Sequence, residues 1–163
     1  MKGVLTLAVA VAAATLLLAV PAWAEEPTRD QYREGVEPIC QANTEANKRI
    51  LKNAKDRAKS RVPAKMKEAG AQFIHASVVF GKTVQKLAGV PRPPADDTRL
   101  LKWFKQLGIV RTNLRKLGKA LKADEEIKAA HEQIRVERAS NAANNVSFVF
   151  EFHYCRLTAA RFF

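Results

Sequence analysis

An all-α fold, an up-down four-helix bundle tied by one disulfide between its first and last helices, is what this sequence predicts. Three observations carry that expectation. Apolar residues recur at three- and four-residue steps through most of the chain. Proline, glycine and aspartate fall between those segments, where helices stop and start. The only two cysteines, Cys40 and Cys155, stand near the two ends of the periodic region.

The first 24 residues read as a secretory signal. Lys2 supplies the positive start, Val4 to Val20 is a run of apolar residues and threonine, and Ala22-Trp23-Ala24 forms a small-x-small cleavage site. Cleavage after Ala24 leaves residues 25–163, enough for one helical domain with its own core. The expected location is outside the cytoplasm, secreted or in the cell envelope, and the cleaved chain is not expected to be an integral membrane protein.

Thr28-Arg-Asp-Gln31 has the form of a capping box, and a short helix is expected to begin there and be interrupted by Gly35 and Pro38. Pro38 suits the first turn of a longer helix, whose stripe runs through Ile39, Cys40, Asn43, Asn47, Ile50, Ala54 and Ala58. Pro63 ends it and opens the next, about Ala64 to Ala88, with Gly89 as its C-terminal cap. After the stiff connector "VPRPPADD", Asp96 or Asp97 caps a third helix striped by Leu100, Trp103, Leu107, Leu114 and Leu121. Asp124 caps the fourth, whose face is expected to run through Ile127, His131, Ile134, Asn141, Asn145 and Phe148 to Cys155.

The stretch "NNVSFVFEFHYC" tests this plan. Read by twos, Val146, Phe148, Phe150, Phe152 and Tyr154 line one side of a strand. Read by threes and fours, Asn145, Phe148, Phe152 and Cys155 share a helical face. A lone strand lacks pairing partners, and an outer-membrane barrel closing on Phe162-Phe163 would need several more alternating segments, so the helix is preferred.

In an oxidising compartment Cys40 and Cys155 are expected to pair, a free pair or an intermolecular bridge being the alternatives. Antiparallel first and last helices bring the two ends together. A bridge over so long a loop adds about 2–5 kcal/mol by chain entropy. Asn43, Asn47, Asn141 and Asn145 all fall on faces assigned to the core, where amides must find partners. They are read as a buried polar network, with a small ligand-binding cavity as the alternative.

Together, "EPICQANTEANKRI", "VPRPPADD" and "NAANNVSFVFEFHYC" resemble an uncharacterised group of short secreted bacterial proteins, mostly Gram-positive. The resemblance implies a secreted helical protein with one cysteine near each end of the mature chain. It brings no activity, cofactor or catalytic residue.

Chemistry is sparse. His75, His131 and His153 show no metal-ligand spacing, and there is no HExxH, CxxCH, GxSxG or glycine-rich phosphate loop. No catalytic residue, metal ligand or cofactor is assigned, and the expected function is non-enzymatic. Basic residues are the remaining signal. The full chain carries a net charge of +12, and the mature chain +11 once Lys2 is removed. One run extends from Lys48 to Lys67; a second, from Arg99 to Lys122, contains no acid. Lys102, Lys105, Arg115 and Lys119 are the candidate anion-binding residues. The expected partner is an anionic envelope surface or polymer, or a partner protein. No nucleic-acid motif is present, so sequence-specific nucleic-acid binding is not expected. The competing function is a small-ligand or haem carrier using the bundle interior, with His153 and Met66 as conceivable axial ligands.

Overall fold

A computed structural model of the chain describes residues 26–158. The signal peptide and Phe162-Phe163 lie outside the described residues. Among the described residues the fold is all-helical, with five α-helices where four are expected. They are α1 (Arg29–Ile50), α2 (Ala54–Lys59), α3 (Pro63–Ala88), α4 (Asp97–Lys122) and α5 (Glu126–Ser147).

The capping box forms as read: the Gln31 amide donates to Thr28 Oγ1, and Gln31 Oε1 accepts the Thr28 N–H. Helix α1 then runs through Gly35 and Pro38 without interruption. Pro38 is exposed, so the backbone bond it cannot make faces water. The break comes later. Asn53 adopts a left-handed backbone, φ 61°, which asparagine tolerates, and this separates α2 from α1.

Helices α3 and α4 follow the expected stripes. Met66, Phe73, Phe80 and Leu87 of α3 are buried, as are Leu100, Trp103, Leu107, Val110 and Leu114 of α4. The two helices meet at glycines: a Cβ on Gly70 would lie 2.5 Å from the Gly118 carbonyl, and one on Gly118 as close to that of Gly70. Gly81 lies against Arg111, so the pair is antiparallel. Helix α4 packs on α3 at one side and on α5 at the other, while α1 packs on α3. Asp96 occupies the N-cap position of α4, but its side chain makes no capping bond. It instead takes the guanidinium of Arg29 through two oxygens, one bond at 2.8 Å, pinning the start of α1 to the start of α4. The Arg29 bonds hold the Asp96 carboxyl below its usual range against the opposing effect of burial. Nor does Asp124 cap α5; Glu125 holds the N-cap position without a side-chain bond.

Two corrections concern the last helix. Its inner face is Ala129, Glu132, Val136, Ala139, Ser140, Ala143 and Ser147. The face assigned to the core points outward instead: Ile127 is 78% exposed and Phe148 71%, with His131, Asn141 and Asn145 also exposed. Small side chains let α5 approach α4 closely, and the larger apolar residues are left on the water side. Secondly, α5 stops at Ser147 and does not reach Cys155. A 3-10 turn, Phe148–Phe150, leads to Glu151 at φ 52°, and an irregular segment follows. At 100° per residue a continued helix would carry Phe152 round to the exposed side. Breaking it buries Phe150, Phe152, Cys155 and Leu157 together. The alternation by twos at Phe150 and Phe152 therefore serves inward packing without a strand.

Cys155 bonds to Cys40, with Cα atoms 5.0 Å apart across a sequence separation of 115. The bridge joins α1 to this irregular segment and not to a helix. Around it, Phe152 lies 5.2 Å from both Trp103 and Phe150, centroid to centroid, and Tyr32 lies 5.7 Å from Phe150.

Candidate functional site

The α4 sequence "LKWFKQLGIVRTNLRKLGKALK" turns Trp103, Leu107, Val110, Leu114, Leu117 and Leu121 inward, and its bases outward by the same periodicity. Lys102, Lys105, Arg115 and Lys119 are all exposed and fall within an arc of about 140° of the helix circumference. Lys116 joins them, and Arg111 and Lys122 stand at the edge towards α3. No acid interrupts the run, and none of these seven bases is in an ion pair among the described residues. Arg99 differs: it approaches Asp96 at 3.8 Å and donates to the Val146 carbonyl. Leu101 and Ile109 are exposed among the bases, 52% and 37%. The result is a basic strip with apolar points, along a helix about 39 Å long.

The asparagines do not form one network. Asn43 and Asn47 of α1 are buried, whereas Asn141 and Asn145 are exposed because α5 is turned away from its expected orientation. Asn43 Oδ1 accepts from the Thr83 hydroxyl at 3.2 Å. Asn47 is 1% exposed and its Oδ1 has no partner among the described residues. Both line a cavity beside the disulfide of about 10 Å³, enough for a single water.

Two polar residues absent from the sequence-based site set organise the C-terminal segment. Asn144 holds Leu157 at both ends of its backbone, accepting its N–H at 2.8 Å and donating to its carbonyl. Glu37 accepts the N–H groups of His153 at 2.8 Å and Tyr154 at 2.7 Å. Non-helical backbone needs such outside partners. Glu37 stands one turn before Cys40, a signal visible in "EPIC" once the bridge is accepted. Asn144 had no signal of its own.

His131, His75 and His153 are exposed, and the described residues contain no group of three or more histidine, cysteine or acidic side chains able to hold a metal ion. The structure does not bring His153 and Met66 together. His153 sits against Glu37 near the start of α1, while Met66 is buried in the first turn of α3, beside the beginning of α5. Among the acids between Asp124 and Glu137, Glu132 is 4% exposed, with one oxygen bound by Arg135 at 2.8 Å and the other without a partner among the described residues.

No helix among the described residues is long and apolar enough to cross a membrane. Neither protein-family models nor curated proteins nor solved structures yield a match to this chain.

Proposed function

We propose that the protein is a secreted, non-enzymatic up-down bundle of the long helices α1, α3, α4 and α5 that binds an anionic surface of the cell envelope through α4. The observation that carries this is the unpaired basic face: seven bases on one helix, no acid among them and no ion pair within the described chain. Charges left unanswered inside a protein are available to an outside partner. Exposed Leu101 and Ile109 add apolar contacts of the kind that interfacial helices use at a lipid headgroup layer. The Cys40–Cys155 bridge suits an oxidising compartment outside the cytoplasm. A carrier that encloses its ligand in the bundle interior beside the bridge has less support, because the cavity there, about 10 Å³, is far below the roughly 300–1,000 Å³ of ligand pockets.

The test is co-sedimentation with vesicles of neutral lipid alone or containing an anionic lipid. Binding should require the anionic lipid and weaken steeply with salt, since exposed charges are screened over about 8 Å at physiological ionic strength. Replacing Lys102, Lys105, Arg115 and Lys119 together by Gln should reduce affinity by about 1,000-fold, at about 1 kcal/mol for each charge near the surface. The helical circular dichroism should stay unchanged. Salt-insensitive binding, or none to anionic vesicles at low salt, would leave the charge a solubility device.

A further inference from the structure

Helix α1 ends at Ile50, whose carbonyl is held by Gln72 of α3. The first turns of α3 run on past that point, and only the six-residue α2 covers them. The cover is incomplete. An open groove of about 530 Å³ lies between α2 and the start of α5, within the roughly 300–1,000 Å³ usual for small-molecule sites. Its floor is apolar and built from buried core residues, Met66, Phe73, Leu117 and Leu121. Its near rim carries Lys55 and Lys59 of α2, and Arg61 just beyond it. Glu126, Ala130 and Gln133 of α5 form the far wall.

Charge and apolar surface are thus separated within one concavity. Lys55, Lys59 and Arg61 are exposed, and none is in an ion pair among the described residues. Arg61 also stands at φ 53°, in the left-handed region uncommon for a residue with a side chain, which sets the direction in which it leaves the rim. Glu126 across the groove answers one positive charge of the three. A neutral or cationic occupant would leave the rim uncompensated, and a purely polar anion would leave the floor unused.

We infer that this groove binds a single-chain amphiphile with an anionic head, of the long-chain fatty-acid class. The acyl chain lies on Met66, Phe73, Leu117 and Leu121, and the carboxylate meets Lys55, Lys59 and Arg61. The site shares no residue with the basic face of α4, so either can fail without the other.

Isothermal titration of the purified protein with octanoate, decanoate and dodecanoate, each below its micellar concentration, tests this. Affinity should rise by about four-fold per methylene while the chain still finds floor, the factor expected from burying a CH₂ group. Dodecyltrimethylammonium, with the same chain and a cationic head, should bind at least about tenfold more weakly than dodecanoate, since opposite charges at the rim are replaced by like ones. Ala130→Trp, on the exposed wall, should abolish dodecanoate binding by filling the groove. Lys55→Gln with Lys59→Gln should weaken it about tenfold and reduce the preference for the anionic head. Both variants change exposed positions, and unchanged melting temperatures would confirm that the fold is kept. The wild-type chain-length series decides independently of the variants. Absence of saturable dodecanoate binding, equal affinity for both heads, indifference to Ala130→Trp, or capture of dodecanoate only when it is presented in vesicles would each overturn the inference.

Discussion

Tyr32 shows how one atom can sit badly in a well-packed place. Its ring is 1% exposed and packs near Phe150 and Phe152, yet its hydroxyl has no hydrogen-bond partner among the described residues. Burial favours the neutral phenol and pushes its pKa up to about 12, against the lowering influence of Arg92. The raised value fixes the sign of the pH dependence. The stabilisation that accompanies the neutral phenol is present below its ordinary pKa of about 10, and is lost as pH rises from there through about 12. Tyr32→Phe removes both the orphan oxygen and the titration. It should leave the protein as stable or up to about 1–3 kcal/mol more stable at pH 7, the cost of an unsatisfied buried hydroxyl. The variant should also lose less stability than wild type between pH 10 and 12 in parallel denaturant melts. A destabilised variant with an unchanged alkaline profile would mean that the hydroxyl is partnered in solution. Tyr32 was not singled out from the sequence, because the aromatic residues it meets lie beyond residue 147, where the backbone leaves the helix.

Among the helices, legibility followed side-chain size. In α3 and α4 most of the bulky residues point inward, so a stripe of Phe, Trp, Leu and Val marks the core directly. In α5 the inner face is mostly alanine and serine, while Ile127, Ile134 and Phe148 point outward. Hydrophobicity there marks the wrong side, and it carried Asn141 and Asn145 into a core they do not enter. The exposure of Lys102, Lys105, Arg115 and Lys119 was legible for the converse reason, since α4 has a strong apolar stripe to orient it. The groove beside α2 was not: it depends on where α1 breaks, and Asn53 carries no periodic signal. Close helix contact also sets opposite signs for two glycines of the bundle. Gly70→Ala would drive a Cβ to within 2.5 Å of the Gly118 carbonyl, and the helices must move apart, at a cost of about 1–3 kcal/mol. Gly108 faces open space on α4, and Gly108→Ala should stabilise by about 0.5–1 kcal/mol through helix propensity alone. Thermal melts of the two variants moving in the same direction would contradict the close crossing.

At the scale of the whole molecule, the chain is closed into a loop by the bond between Cys40 and Cys155, and the link from α2 to α3 lies inside that loop. Ser60 to Val62 is non-helical, and Arg61 within it is exposed. Within that loop, helical lysines and arginines are held in hydrogen-bonded backbone, the Lys52 carbonyl is bound by Arg57 and Gln72, and Arg92 precedes a proline, so brief trypsin treatment should nick the loop first after Arg61. The nicked protein should run as one species on a non-reducing gel and as two fragments after reduction. Early cleavage within α3 or α4 instead would show that those helices open more readily than the link. The bond also decides the fate of the piece that contains α1. While the disulfide is intact, that piece remains at the millimolar effective concentration of a tethered partner, and redocks each time it lifts away. Once the bond is reduced, the same piece is an ordinary ligand of the remaining helices, and dilution alone can carry it off.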